Sequence, residues 1–430
     1  MVNDALRVSI AAIRGLDGEL TAGRRVAFCC GQKNRDAGLQ ALSPWFMFRP
    51  LNSLQTMTMT ESHTDKTASS PAGSQSQEQT QEIVGYKVPA VEAWVAANIP
   101  ALQPPFTWTR LPGGHSNLTY HLAAANGTEA VIRRPPMGEL LPKAHDMGRE
   151  WSLISALGPT SVPVPAALGF CESPDVTGAW FYVMGVVHGR PLYTADDTRE
   201  WVPMENRQTL AHSFIDVLAD LHSLDPDSLG LGELGKKENY VGRQLKTWYR
   251  SWTASIEPAK YDDPRAHSLQ KYFLENMPEQ GPARVVHGDY GLHNCLIGAD
   301  GAIAAVVDWE ISTLGDPLAD LAYALNQWAE PGDPVLSGPG APTSLPGFPT
   351  RAYLAQRYAE RTGRDLTMLD FYVGFNRWKT AAIVHGVYAR YMEGKKSSEG
   401  VDTDTLRIRI GLALDQAEMA IERLEKQLGR

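Results

Sequence analysis

Apolar positions along the chain change period near residue 205, and this change divides the fold. Before it, Val91, Val95 and Ile99 recur at helical spacing behind Pro89, which suits a first helical turn. FTWTRL (106–111) then alternates as a strand, and LTYHLAA (118–124) and EAVIRR (129–134) follow as two more. Asn126-Gly127 lies between the last two and predicts a tight turn, so 111–134 reads as a β-hairpin preceded by a Gly-Gly pair. AHDMGREWSLISAL (144–157) reads as a helix and WFYVMGVV (180–187) as a buried strand. From about Glu205 the pattern is helical, with Leu210, Phe214, Leu218 and Leu221 on one face. A β insert interrupts at 285–308, and helices are predicted at 316–329, 350–362, 367–393 and 403–428. Mostly strands, then mostly helices with one β insert, is an α+β arrangement of two lobes.

The 430 residues exceed a typical single domain, so one large or two smaller units are expected. Residues 83–187 form the predicted N-lobe and 188–430 the helical C-lobe. Residues 60–82 are Ser-, Thr- and Gln-rich without a large apolar side chain, and 59–82 reads as a disordered linker. Residues 1–58 carry seven basic and four acidic residues, no sustained period and no apolar core suited to a signal peptide. With Met57 and Met59 at their end, they read as an N-terminal extension, either not folded or not native. The net charge of -9 disfavours nonspecific binding to nucleic acid or an anionic membrane. No run of about 18 apolar residues is present, which excludes a transmembrane helix. Cys29, Cys30, Cys171 and Cys295 form no C-x-x-C pair, so zinc and a disulfide framework are not indicated and a cytoplasmic setting is expected.

The candidate chemistry lies in the β insert. VVHGDYGLHNCLI places Asp289 and Asn294 in the spacing D-x-x-x-x-N, and Asp308 follows one short hairpin later in VVDWE. Phosphoryl transfer needs these residue types: a carboxylate to orient the attacking hydroxyl, and oxygen ligands to hold magnesium against phosphates. Protein kinases use an H-R-D-x-x-x-x-N loop and a later D-F-G aspartate; here Gly288 stands for the Arg, and the second motif reads Asp308-Trp309-Glu310. Upstream, LPGGHSNLTY (111–120) stands where a phosphate-covering loop belongs, with Gly113, Gly114 and Ser116 as candidate contacts, although an ordinary turn explains a lone Gly-Gly as well. Arg133 closes the apolar strand AVIR as a candidate phosphate clamp, and Glu150 on the next helix is a candidate partner for it.

LPGGHSNLTY, VIRRPP, HDMGREWSLISAL, HGDYGLHN and VDWEISTLGDPLADLAY together resemble the aminoglycoside phosphotransferase-like branch of the protein-kinase-like fold, over roughly residues 85–395. VIRRPP, LLPKAHDMGRE and GFPTR are most similar to the phosphotransferase domains related to acyl-CoA dehydrogenase family members. The resemblance implies a bilobal kinase fold, ATP, magnesium and a small-molecule hydroxyl acceptor, for the latter group a hydroxyacyl-CoA or related hydroxy acid. It implies Asp289 as the catalytic carboxylate, Asn294 and Asp308 as magnesium ligands, and adenine pairing with backbone near Met184 and Val186. Arg133 departs from the family's frequent Lys. Asp320 is expected to brace the catalytic loop, Asp316 to cap a helix, His287 to support the loop, and Leu221-His222 to be core.

Other readings stay open at this level. An aminoglycoside-, choline- or sugar-type acceptor fits the same motifs, and so does a non-catalytic nucleotide-binding module. A metallohydrolase would use His287, Asp289 and His293 but leaves Asn294 and Asp308 unexplained. Residues 330–349 hold six Pro and four Gly, predict nothing regular, and are placed beside the acceptor. The helix carrying Tyr372, Asn376, Arg377, Lys379, His385, Arg390 and Tyr391 is read either as a basic site for CoA or a carboxylate or as a solvated face.

Overall fold

Apolar residues at helical spacing and a Pro in the first turn give α1 (Val88–Asn98), which buries Val91 and Val95. In the computed structural model, residues 83–111, 117–138, 146–333, 340–395 and 402–430 are described. β1 (Phe106–Arg110), β2 (Leu118–Ala124) and β3 (Glu129–Arg134) form an antiparallel meander. Gly127, at φ +81°, turns the chain between β2 and β3, and the Asn126 side chain accepts from the Thr128 amide. α2 (Met147–Leu157) starts at Asp146, whose carboxylate caps the Arg149 amide. β4 (Ala167–Cys171), the short α3 (Pro174–Thr177) and β5 (Phe181–Gly185) complete the N-lobe. The sheet order is β1-β2-β3-β5-β4, so β3 is central, and its Arg133 reaches Glu150 of α2.

Burial of Leu122, Ile132, Phe181 and Val183 against Val91 and Val95 builds the N-lobe core. Each such side chain contributes about 1.5–3 kcal/mol. The expected strand over 180–187 is shorter than predicted: Trp180 is 43% exposed, and Val186 lies beyond the strand end. β4 escaped prediction because its burial is partial and a β-bulge breaks its pairing with β5.

The C-lobe follows as α4 (Ala195–Trp201), α5 (Arg207–Ser223), α6 (Tyr240–Ala259) and α7 (Pro264–Glu275). β6 (Arg284–Val286), β7 (Cys295–Ile297), β8 (Ile303–Val306) and β9 (Thr313–Gly315) form two small antiparallel ribbons, β6 with β9 and β7 with β8. The predicted insert lacked β9, a three-residue strand too short to carry a period. α8 (Pro317–Gln327), α9 (Arg351–Thr362), α10 (Leu369–Met392) and α11 (Thr403–Gln427) close the lobe within two residues of the predicted bounds.

Of the segment 330–349, residues 334–339 lie outside the described residues, and the rest is mostly irregular as expected. A short 3-10 turn forms at Pro342–Ser344, and Arg351 ties Glu330 and Asp333 at 2.9 Å each. α10 is not a solvated face. It runs through the core, with Tyr372, Asn376 and His385 buried. Tyr372 donates to Asp316, Asn376 to the Ala319 carbonyl, and a ring nitrogen of His385 meets the Tyr261 carbonyl. Among the described residues no helix is long and apolar enough to cross a membrane.

Candidate active site

β6 delivers His287, Gly288 and Asp289 to the mouth between the lobes. Gly288 sits at φ +85°, where an L side chain is strained. The buried Asp320 carboxylate, from α8, accepts the amides of His287 at 2.7 Å and Gly288 at 2.9 Å. His222 lies 3.3 Å from the same carboxylate and 2.8 Å from the Tyr358 hydroxyl. Both ring nitrogens of His287 serve the loop, Nε2 at 3.0 Å from the Val307 carbonyl and Nδ1 accepting the Asp289 amide at 3.3 Å. Asp320 and His287 therefore brace the loop as the sequence predicted, and His222 is core with a polar task.

Asp289 is held from three sides. Tyr323 donates to Oδ1 at 2.5 Å, Asn294 Nδ2 donates to Oδ2 at 3.2 Å, and His293 Nε2 lies 3.4 Å from Oδ2. Burial alone would raise the Asp289 pKa, but the hydrogen bonds from His293 and Tyr323 outweigh it and lower the value. Asn294 Nδ2 also donates to the Asp289 carbonyl at 3.0 Å. With its nitrogen committed twice, the amide presents Oδ1 as an acceptor.

Asp308 follows β8 in the left-handed region, φ +66°, rare for a non-glycine residue. Its Oδ1 accepts from Arg133 Nη2 at 2.7 Å, and Arg133 Nε lies 3.1 Å from Glu150 Oε2. Glu150 is 1% exposed and accepts from the Tyr182 hydroxyl at 2.9 Å. Asn117 reaches both Glu150 and Glu310 at 3.4 Å. Burial pushes the Glu150 carboxyl up to about 7 against the pull of Arg133. Burial likewise raises Asp308, with Glu310 and Asp289 adding to it and Arg133 opposing.

Four carboxylates, of Glu150, Asp289, Asp308 and Glu310, thus gather where Arg133 is the paired cation. Among the described residues no group of three or more His, Cys, Asp or Glu is arranged as a metal site, but the Asn294 amide oxygen and the Asp308 carboxylate are hard oxygens of the kind magnesium prefers. Asn294 and Asp308 are the residues suited to hold it, and Arg133 lies beside them to meet phosphate. The alternative set of His287, Asp289 and His293 is less suited to a metal, because both ring nitrogens of His287 are engaged.

Met184 pairs with Val131 across the sheet, and Val186 follows the strand end. Gly113, Gly114 and Ser116 lie outside the described residues. Tyr323, Tyr182, Asn117 and Glu310 were not singled out from sequence. Tyr323 had a signal, since it follows Asp320 by three positions on one helix and shares its face.

The chain matches the model of the phosphotransferase enzyme family over residues 107–354. It is 36% identical to chicken (Gallus gallus) acyl-CoA dehydrogenase family member 11 over 293 residues, covering 66% of this chain and 37% of that protein. It is 33% identical to mouse (Mus musculus) acyl-CoA dehydrogenase family member 10 over 289 residues, 66% of this chain and 26% of that one. The chain thus spans well under half the length of these curated relatives. A crystal structure from Ralstonia eutropha JMP134, assigned as an aminoglycoside phosphotransferase, superposes with TM-score 0.67 at 28% identity, covering 78% of this chain and 99% of that one. Choline kinase from Cryptosporidium parvum shares the fold, with TM-score 0.53 at 11% identity over 77% of this chain and 96% of its own.

Proposed function

Because the chain belongs to the phosphotransferase enzyme family, we propose that it transfers the γ-phosphoryl group of ATP to a hydroxyl of a small molecule, with a hydroxyacyl-CoA or free hydroxy acid as acceptor. The observation that carries this reading is the Asp289 carboxylate, kept ionised and pinned by Tyr323 and Asn294 at the mouth between the lobes. An ionised, oriented carboxylate can align an acceptor hydroxyl and take its proton as the new P–O bond forms. Arg133, fixed between Glu150 and Asp308, would turn a guanidinium edge toward the phosphates. Asn294 and Asp308 would hold magnesium, which supplies charge neutralisation for the transferred group. Met184 and Val186 would offer backbone to adenine, and Gly113, Gly114 and Ser116 would cover the phosphates.

Little covalent work falls to the protein in such a transfer, so positioning and electrostatics dominate. The site answers to that need, since each charged group in it is fixed by at least one further contact. The acceptor class is supported by the similarity to proteins named acyl-CoA dehydrogenase family members. ADP release with magnesium-ATP, measured across hydroxyacyl-CoAs, free hydroxy acids, aminoglycosides, choline and sugars, tests the reading. A hydroxy acid or its thioester is expected to stimulate release most; stimulation by none of them counts against it.

A further inference from the structure

We infer that Lys379 anchors the acceptor by a carboxyl-level oxygen, which makes the acceptor an acid or its thioester and disfavours cationic amino sugars and choline. The inference deepens the proposed function and rests on it. Lys379 lies on α10, one turn after Asn376, whose side chain is bonded to the Ala319 carbonyl of α8 at 2.8 Å. That bond fixes the two helices against each other and directs Lys379 toward Tyr323. Its ammonium lies 5.4 Å from the centroid of the Tyr323 ring, and the hydroxyl of the same ring is bonded to Asp289.

Lys379 is only 9% exposed, yet no hydrogen bond or ion pair to it occurs among the described residues. A buried ammonium has three donors and no acceptor function, and leaving it unpaired is costly. The carboxylates acting on it through space are Asp289 and Asp320. Neither is hydrogen-bonded or ion-paired to it, and each is oriented by other groups. Asp320 is taken by His222 and by the amides of His287 and Gly288. Asp289 is taken by Tyr323, Asn294 and His293. The ammonium therefore keeps its donors for a ligand, beside the ring whose hydroxyl holds the Asp289 carboxylate. A carboxylate or thioester carbonyl oxygen complements it; a quaternary or primary ammonium is repelled by it.

The test pairs wild type with Lys379→Met and Lys379→Gln, using hydroxybutyrate, its CoA thioester, and butanediol, which keeps the hydroxyl and lacks the carboxyl. Wild type is expected to favour the two carboxyl-level acceptors over butanediol by on the order of 100-fold in kcat/KM. Both variants are expected to raise KM for those acceptors by a similar factor, with kcat and the KM for ATP changed little. Whether the free acid or the thioester suffers more tells which is the natural partner. Calorimetric binding of hydroxybutyrate without nucleotide is expected in wild type and lost in both variants, whose melting temperatures confirm folding. Unchanged acceptor KM in the variants, a preference for butanediol or a cationic acceptor, or no hydroxy-acid binding by wild type would each overturn the assignment. If no acceptor stimulates ADP release, the phosphotransfer reading fails, and the calorimetric arm still decides Lys379.

Discussion

Arg133 Nε lies 3.1 Å from Glu150 Oε2, and the pair is buried between the central strand of the N-lobe and α2. One carboxylate would suffice to neutralise the guanidinium, yet Asp308 reaches it too, at 2.7 Å. The second contact joins the N-lobe sheet to the end of the C-lobe hairpin that carries Asp308. Arg133 therefore sets the relation between the two halves of the site as well as its charge.

Glu150→Gln should separate charge from shape at this pair. The folded-state pKa of about 7 lies above the ordinary 4.5, so the folded protein keeps a proton that the unfolded chain releases between those values. Wild-type stability is therefore expected to fall as pH rises from about 4.5 to about 7. The Gln variant lacks this term, so its stability relative to wild type should grow across that window by up to about 3 kcal/mol. Urea melts of the nucleotide-free protein at a series of pH values measure it. Activity should fall on the order of 100-fold, because Arg133 loses the charge that orients it.

Asp320→Asn tests the bolt under the catalytic loop. Burial opposes the charge of Asp320, but the hydrogen bonds of His222 and Gly288 hold its pKa below the ordinary value. A lowered carboxyl pKa contributes stability above the unfolded value of about 3.9 that is lost as pH falls through the folded value. The variant is expected to lose about 3–5 kcal/mol at neutral pH, since two buried amides and His222 lose an ionised partner. The gap to wild type should narrow below about pH 4, as read by denaturant melts.

Gly288→Ala probes the turn that aims Asp289. At φ +85° an alanine costs about 1–2 kcal/mol. Its Cβ would also stand 3.3 Å from Ile311 Cδ1, so the loop has little room to relax. Reduced kcat with a small loss of melting temperature is expected, and an unchanged kcat would show that the turn does not aim the carboxylate.

The sequence made the lobes legible because both periodicities were strong where cores are deep. Val91, Val95, Leu210, Phe214 and Leu218 are all nearly inaccessible, and the helices they predict form. The proximity of Asp289, Asn294 and Asp308 was legible for a different reason: they sit on one local segment, so their spacing in sequence carries their spacing in space. Arg133 and Glu150 were legible through their places on neighbouring elements. Tyr182, Asn117 and Glu310 were not, because each acts across 30 or more residues through side-chain hydrogen bonds and no period marks such contacts. α10 could be read as a solvated face because Tyr372, Asn376 and His385 are polar, although they bond to a carboxylate and to backbone inside the core. A buried polar side chain that is satisfied by a partner looks, in sequence, the same as one that faces water.

The central claim is that Asp289 directs phosphoryl transfer from ATP to a hydroxyl. Mass spectrometry of hydroxybutyrate and hydroxybutyryl-CoA, incubated with magnesium-ATP and either wild type or Asp289→Asn, tests it most directly. The account predicts that an acceptor gains one phosphoryl group with wild type and that the rate falls at least about 100-fold in the variant, because the amide cannot take the proton. Equal phosphorylation by the variant, or a wild type that hydrolyses ATP and leaves both acceptors unmodified, would contradict it.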